Sequence, residues 1–329
     1  MHVFHRSGHS GATNSNTYIM TNNEWFVIVN PNAGRRKGEK DWLEIARLLN
    51  EAGIKVTNVF TEHKGHAVKL TRKYIEAGFK NIIVVGGDGT LNEVVNGVFL
   101  QKHCPTTHIT LAMIPVGTGN DWCRMFGIPL SYKLSIGFIT RGKTFMQDAG
   151  KVTFFTSNSL RKTRYFINMA GMGYDALVAK KTNMLKERGK LRPFSYLVNM
   201  LTSLFSYHIA ESRITFGGRT IESSIFSMSV GICQYNGGGM KQAPNAIPDD
   251  GLFDLTIIKK VTKFEVFKNI KKLFDGTFIN LPQVSTYTSD KIAIESTPSL
   301  FLEADGESLG HTPFQFEIVP LCIKVITGK

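Results

Sequence analysis

Asn81-Ile82-Ile83-Val84-Val85-Gly86-Gly87-Asp88-Gly89-Thr90-Leu91-Asn92 is the stretch on which the reading of this chain turns. Its β-branched apolar run predicts a buried strand over Asn81–Val85, leading directly into small residues and then a helix over Leu91–Phe99. The same order recurs on either side. Upstream, Trp25–Val29 reads as an apolar strand ending in the turn residues Asn30, Pro31, Asn32, Ala33 and Gly34. A helix follows with Trp42, Ile45, Ala46 and Leu49 at i, i+3, i+4 and i+7, closed by Gly53. Strand Lys55–Phe60 and a helix bearing Ala67, Leu70, Tyr74 and Ala77, capped by Gly78, form the next unit. Downstream, strand Ile109–Ile114 leads into Pro115-Val116-Gly117-Thr118-Gly119-Asn120-Asp121. Repeated strand, turn and helix predict an α/β fold with an N-terminal parallel sheet in three layers.

In such sheets ligands sit beyond the carboxyl ends of the strands. Three turns fall there: Asn30–Gly34, Gly86–Thr90 and Gly117–Asp121. Small residues opening a helix let backbone N–H groups approach a phosphate and aim the helix dipole at it. Each helix start contributes only about 0.3–1 kcal/mol, so several must converge on one polyphosphate. None of the three is a Walker A loop, and Asn92 and Trp122 break G-x-G-x-x-G. Thr90 and Glu93 fit a capping box. Asp88 has no place in that account. A carboxylate beside a phosphate requires a cation between them, which points to Mg²⁺ carried by a polyphosphate.

The second half changes character. Lys133–Gln147 reads as a helix or strand bridging two domains, and Asp148-Ala149-Gly150 opens a series of short strands. These are Val152–Phe155, Arg164–Met169, Arg213–Phe216, Ser223–Val230, Leu252–Ile258, Lys291–Ile294 and Phe314–Ile318, which predict an antiparallel sandwich. Two helices interrupt it. One carries Phe194, Leu197, Val198, Leu201 and Phe205; the other opens on a capping box from Thr262 to Glu265 and runs to Asp275-Gly276. Asp305-Gly306 suits a type I′ hairpin turn.

Composition narrows the function classes. With 329 residues, 42% hydrophobic and 20% charged, the chain is globular and needs neither disulfides nor a structural metal to hold a core. Its four cysteines are scattered without a CxxC pair, which speaks against a zinc site and for a reducing compartment. No apolar run reaches the roughly 20 residues of a membrane span. The first residues lack a signal-peptide core, so 1–23 reads as a disordered extension, with Met20 as an alternative start.

Lys+Arg number 39 against 26 Asp+Glu, a net charge of +13. That balance fits a solvated basic surface or an anionic partner, and no nucleic-acid module is present. Basic residues gather at Lys180, Lys181, Lys186, Arg188, Lys190 and Arg192, and again at Lys259, Lys260, Lys263, Lys268, Lys271 and Lys272. A solvated helix face is one reading of these stripes. Contact with an anionic membrane is the other, with apolar residues such as Leu185 and Leu191 beside the charge.

Gly86-Gly87-Asp88-Gly89-Thr90 resembles the signature shared by diacylglycerol, sphingosine and NAD kinases and, more loosely, phosphofructokinases. With Asn30-Pro31-x-Ala33-Gly34, Asn92-Glu93-Val94-Val95-Asn96-Gly97 and Pro115-x-Gly117-Thr118-Gly119-Asn120-Asp121, the chain looks like the diacylglycerol kinase catalytic domain. Val116, where Leu is usual, departs from the pattern. The resemblance runs from Trp25 to about Ile318 and implies an ATP-dependent lipid kinase acting on diacylglycerol or a related or sphingoid lipid. Residues 24–147 would be the ATP-binding domain and 148–318 a β-sandwich-like lipid-substrate domain, with about 319–329 a candidate strand to return to the first.

Nucleotide contacts would come from Asn30, Pro31, Asn32, Ala33, Gly34, Thr61, Gly86, Gly87, Asp88, Gly89, Thr90, Leu91, Asn92 and Thr118. Thr61 follows the second strand at the same sheet edge. Pro244–Asp254 resembles the family's structural Mg²⁺ site, whose ligands would be the Asp250 carboxylate and the Ile247 and Leu252 carbonyls. Glu303-Ala304-Asp305-Gly306-Glu307 resembles the motif of the catalytic base, with Glu307 preferred and Asp305 the alternative. The resemblance further implies Mg²⁺, ATP as donor, a lipid substrate, no nucleic acid and a cytoplasmic protein peripheral to anionic membrane. Oligomeric state stays open, a homodimer included. NAD kinase is the rival enzyme, disfavoured by Gly117–Asp121 and the basic stripes. A non-catalytic regulator on the same fold is disfavoured by the joint presence of Asp88, Asp250, Asp305 and Glu307.

Overall fold

The computed structural model describes residues 24–187, 198–199, 202–204, 207 and 209–328. The expected extension over 1–23, most of the helix around Phe194–Phe205 and the basic residues Arg188, Lys190 and Arg192 lie outside the described residues.

Strands β1 (Trp25–Val29), β2 (Val56–Phe60), β3 (Asn81–Gly86) and β4 (Thr110–Pro115) pair in parallel in the order β2-β1-β3-β4. Helices α1 (Ala33–Lys40), α2 (Trp42–Glu51), α3 (His66–Glu76) and α4 (Asp88–Leu100) connect them. Then α5 (Asp121–Met125) and α6 (Tyr132–Arg141) follow β4. Because successive side chains on a strand point to opposite faces, each strand feeds two cores. Phe26, Ile28, Ile82 and Val84 pack with Leu70 and Val94 of α3 and α4. Val27, Val29, Ile83 and Val85 pack with Ile45 and Leu49 of α2 and with Ile136 and Ile139 of α6. Chain order reverses between β1 and β3, and the crevice that such a reversal opens lies at their carboxyl ends.

Lys133–Gln147, expected as one bridging element, is two: α6 and the start of β5 (Thr144–Phe155), separated by the left-handed Gly142. The rest is antiparallel: β6 (Arg161–Phe166), β7 (Met169–Gly173), β8 (Ala210–Phe216), β9 (Arg219–Gly231), β10 (Phe253–Lys259), β11 (Val284–Ser289), β12 (Lys291–Thr297), β13 (Phe301–Ala304) and β14 (Glu307–Ile326). Helix α7 (Tyr174–Glu187) follows β7, and α8 (Lys263–Asn269) and α9 (Lys272–Asp275) follow β10. The two faces of the expected sandwich are joined edge to edge. β7, β9, β8, β12, β14 and β13 pair in a closed antiparallel ring, so no strand of the ring is an edge, while β6 and β11 end the antiparallel branches that leave it.

β14 ties the halves together. Its first residues belong to the ring, while Lys324 and Val325 pair in parallel with Thr110 and Leu111 of β4. β5 runs beside it antiparallel from His311↔Phe155 to Ile326↔Thr144.

Candidate active site

The three glycine turns meet in the crevice, and they meet each other. A Cβ on Gly34, whose φ is +58°, would stand 1.8 Å from the Val116 carbonyl oxygen. One on Gly117 would stand 2.6 Å from Gly87 Cα. Asn30 Nδ2 donates to Thr90 Oγ1 at 2.8 Å, and Asn30 Oδ1 accepts from Asn32 N at 3.0 Å. These glycines are thus required by backbone-to-backbone packing as well as by any ligand.

The helix α4 starts differently from its sequence reading. Its N-cap is Gly87, with extended backbone and no side-chain cap, so Thr90 is already the third helical residue and cannot form the expected box. Glu93 instead accepts from Gly65 N at 2.7 Å and Ala67 N at 3.1 Å, capping α3. The leading N–H groups of α4 receive no side-chain cap and lie at the positive end of the helix dipole.

Asp88 also has a partner that the sequence did not reveal. Its carboxylate accepts from Trp122 N at 3.1 Å and Asp121 N at 3.2 Å, so it caps α5. Burial raises its pKa, outweighing those backbone donors. Asp121 lies close by: a Cβ on Gly119 would be 3.2 Å from Asp88 Oδ2 and 3.4 Å from Asp121 Oδ2. Burial first, and then the Asp88 charge, push Asp121 up to about 6, although it accepts from Gly238 N at 2.7 Å and pairs with Arg124 at 2.9 Å. Asn120 Oδ1 is buried there without a donor. Paired glycines, an uncapped helix start, an orphaned oxygen and two repelling carboxylates fit a polyphosphate accompanied by a divalent cation.

Other predicted contacts scatter. Thr61 N bonds to Val29 O at 2.8 Å, at the same sheet edge, and Thr118 is exposed at the mouth. Pro31 and Asn32 sit on the rim, while Ala33 and Leu91 are buried in the two cores. Asn92 faces the C-terminal half, donating to Asp305 Oδ2 at 2.9 Å and to the Tyr165 carbonyl at 2.9 Å.

The two carboxylates of the hairpin part ways. Asp305 and Gly306 have φ of +49° and +82°, and Ala304 pairs with Glu307, which makes the expected type I′ turn. Asp305 is buried and accepts from Asn92 Nδ2 and from the N–H groups of Ile167, Asn168 and Met169, at 2.9–3.0 Å. Its lone pairs are occupied in fastening the turn to the β6–β7 bend. Glu307 reaches the glycine turn instead: a Cβ on Gly89 would be 3.2 Å from Glu307 Oε1. Lys64 Nζ lies 2.5 Å from its other oxygen. Arg164 donates to Asn92 Oδ1 at 2.6 and 3.0 Å, and the charge of Glu307 acts on it. Asp121 stood in the quoted Gly117–Asp121 motif without a role assigned to it, and Lys64 and Arg164 carried no sequence signal for the site.

Behind the hairpin lies a buried acid cluster. Glu303 accepts from Asn236 Nδ2 and Gly306 N, both at 2.9 Å, and burial lifts it to about 8. Its neighbour Asp175 is raised to about 6 by burial. Asp175 lines a cavity of about 80 Å³ whose walls are largely apolar, from Tyr174, Phe226, Val266, Leu273 and Phe278, with Ser227, Ser229 and Gln242 among its polar lining. Glu303 thus stands between that cavity and Glu307, bonded to Gly306 beside Glu307 and acted on by the Asp175 charge.

At the predicted structural metal loop, Asp250 is exposed and its Oδ1 accepts from Leu252 N at 3.0 Å. Its charge raises both Asp148 and Asp254, after burial. Among the described residues no group of three or more His, Cys, Asp and Glu is arranged to hold a metal. One carboxylate with backbone carbonyls, in an acidic neighbourhood, fits a hard oxygen-loving cation.

Comparison with known proteins matches residues 24–152 to the diacylglycerol kinase catalytic domain. Residues 168–327 match the YegS C-terminal NAD kinase beta sandwich-like domain. A diacylglycerol kinase of Bacillus subtilis (strain 168) is 30% identical over 310 residues, 92% of this chain and 96% of that protein. One from Staphylococcus carnosus (strain TM300) is 28% identical over 303 residues, covering 92% and 94%. The crystal structure of a diacylglycerol kinase from Bacillus anthracis str. Sterne superposes with a TM-score of 0.68 at 24% identity, covering 93% of this chain and 97% of that one. Yeast NADH kinase superposes with a TM-score of 0.52 at 12% identity, covering 93% and 84%. These two structures speak to the fold alone. With both halves matched in order and a 30% identical relative covered almost end to end, the chain belongs to the diacylglycerol kinase family, phosphotransferases with an alcohol as acceptor.

Proposed function

We propose that this protein transfers the γ-phosphoryl group of ATP to the hydroxyl of a membrane lipid, diacylglycerol or a related or sphingoid lipid. The observation that carries this reading is the position of Glu307 against the Gly86–Thr90 turn. It brings a carboxylate from the β-rich half to the place where an uncapped helix start would face phosphate. In this reading 24–147 forms the three-layer ATP-binding domain and 148–318 the lipid-substrate domain.

Phosphoryl transfer needs positioning and charge compensation more than covalent chemistry. Mg²⁺ bound with ATP offsets the triphosphate charge. Asp88 and Asp121 supply the carboxylates beside it, and the leading amides of α4 with the Gly34, Gly87 and Gly117 backbones cradle the phosphates. As the acceptor oxygen bonds to the γ-phosphorus and the bond to the bridging oxygen breaks, Glu307 takes the hydroxyl proton. Lys64 orients that carboxylate, while Asp305 holds the turn that carries it. The apolar cavity behind Asp175 suits the hydrocarbon end of an acceptor. Mg²⁺ at Asp250, Ile247 and Leu252 would stabilise the loop beside Asp148.

The deciding experiment is a panel with labelled ATP and diacylglycerol, sphingoid base, ceramide, phosphatidylglycerol and NAD as acceptors. Incorporation into a lipid supports the reading. Incorporation into NAD alone replaces it with the rival, and none into any acceptor, with ATP still bound, indicates a regulator.

A further inference from the structure

The helices α8 and α9 have two apolar faces, and only one of them is covered. Val266, Ile270 and Leu273 turn inward onto the cluster of Tyr174, Val178 and Phe226. Phe264 and Phe267, three apart on α8, and Phe274 on α9 point out and are 73%, 63% and 49% exposed. Three protruding phenylalanines on one small segment are unusual for a surface with no partner. Lysines surround them: Lys259, Lys260, Lys268 and Lys271 are exposed, with Lys263 and Lys272 alongside. The two carboxylates of the same segment are engaged locally, Glu265 in its capping box and with Gln283, and Asp275 with Thr277.

We infer that this face is the membrane-docking surface, with Phe264 and Phe267 inserted among the acyl chains of an anionic bilayer and the lysines on its headgroups. The inference rests on the lipid-acceptor reading, which it deepens. Charge decides the occupant. A second copy in a two-fold contact would set the lysine ring against itself. Anionic headgroups instead complement the ring while the phenylalanines leave water. The placement also suits the reaction, because Val266 and Leu273 on the covered face line the cavity that ends at Asp175. Docking here sets the bilayer one helix thickness from that cavity.

The test is co-sedimentation with phosphatidylcholine vesicles, with and without phosphatidylglycerol. Wild type binds the anionic vesicles and loses them with salt. Phe264→Ser with Phe267→Ser weakens that binding at least about tenfold, and Lys268→Gln with Lys271→Gln about fivefold per lysine. Both variants keep the wild-type melting temperature and the wild-type rate on a short-chain, water-soluble diacylglycerol without vesicles. Equal vesicle binding by wild type and variants overturns the inference. So does a dimer that the Phe variant dissolves, or a single-stranded oligonucleotide that competes the vesicles away. If the variants lose vesicles as stated while no lipid is phosphorylated, the docking surface stands and the kinase reading falls.

Discussion

Replacing Gly117 with alanine tests whether the turns must touch. Gly117 has a backbone that any residue adopts, so the substitution adds a methyl group and no conformational strain. That methyl would lie 2.6 Å from Gly87 Cα and 2.7 Å from Asn120 Oδ1, where ordinary contacts start at 3.4 Å. The Gly87 backbone cannot rotate away as a side chain can, so the turns must part by roughly 1 Å, a displacement that costs about 100-fold when it separates reacting groups. Overpacking of this kind destabilises by about 1–3 kcal/mol. The control is Gly217→Ala in the β8–β9 hairpin, where φ is +52° and nothing lies within 4 Å of the new Cβ. It carries a similar stability loss, about 1 kcal/mol from the left-handed backbone, with no reason to affect transfer. Thermal melts and steady-state rates at saturating ATP and acceptor compare the two. Gly117→Ala retaining activity within about threefold of wild type, or both variants losing it alike, would refute the claim that the paired turns position the chemistry.

Glu307→Gln should keep the melting temperature and lose turnover, whereas Asp305→Ala should lower the melting temperature first, because four donors lose their acceptor; the reverse pattern exchanges their roles. Lys64→Gln should lower kcat while leaving binding of ATP within a few-fold; an unchanged kcat means that the ion pair with Glu307 is a surface contact of small value. Asp250→Ala should remove any stabilisation by Mg²⁺, since a ligand bound only to the folded chain raises its melting temperature by mass action. An equal Mg²⁺ shift in wild type and variant rejects the loop as a metal site. Glu303 has its folded pKa raised from 4.5 to about 8, so the folded state holds the extra proton. Its contribution is therefore intact at acid pH and is lost as pH rises from 4.5 through about 8, and melting temperature should fall over that window more in wild type than in Glu303→Gln.

The parallel half was legible because its signals are local. Strands of β-branched residues, helices with one apolar face and turns of small residues each fit within a dozen positions, and the observed elements follow them. Thr262 and Glu265 form their box with both reciprocal bonds, for the same reason. Thr90 and Glu93 have the same spacing and fail, because the helix starts three residues earlier at Gly87 and Glu93 finds better donors on α3, 26 and 28 residues away. Asp88 was read through its neighbours in sequence, yet its partners are Asp121 and Trp122 at the start of another helix. The choice between Asp305 and Glu307 lay beyond the sequence as well. Two residues apart on a hairpin, they differ in what surrounds them, and those surroundings come from β6, β7 and the loop before α3. Strands β7 and β13 were missed or merged because ring closure, and not an alternating pattern, holds them, and the missed β11 lies outside the ring, paired with β10.

The strand that ends at Ile326 has a bearing on how the protein is made. β4 is flanked by β3 on one side and by Lys324–Val325 on the other, and the second neighbour is encoded more than 200 residues later. At ribosomal speeds Thr110 waits roughly ten to forty seconds for that partner. During that interval the nascent N-terminal half presents an unpaired, apolar strand edge, the kind of template on which chains join incorrectly. The half that looks most self-sufficient in sequence is thus the one whose sheet is completed last, and a fragment ending near Gln147 should aggregate where the whole chain folds.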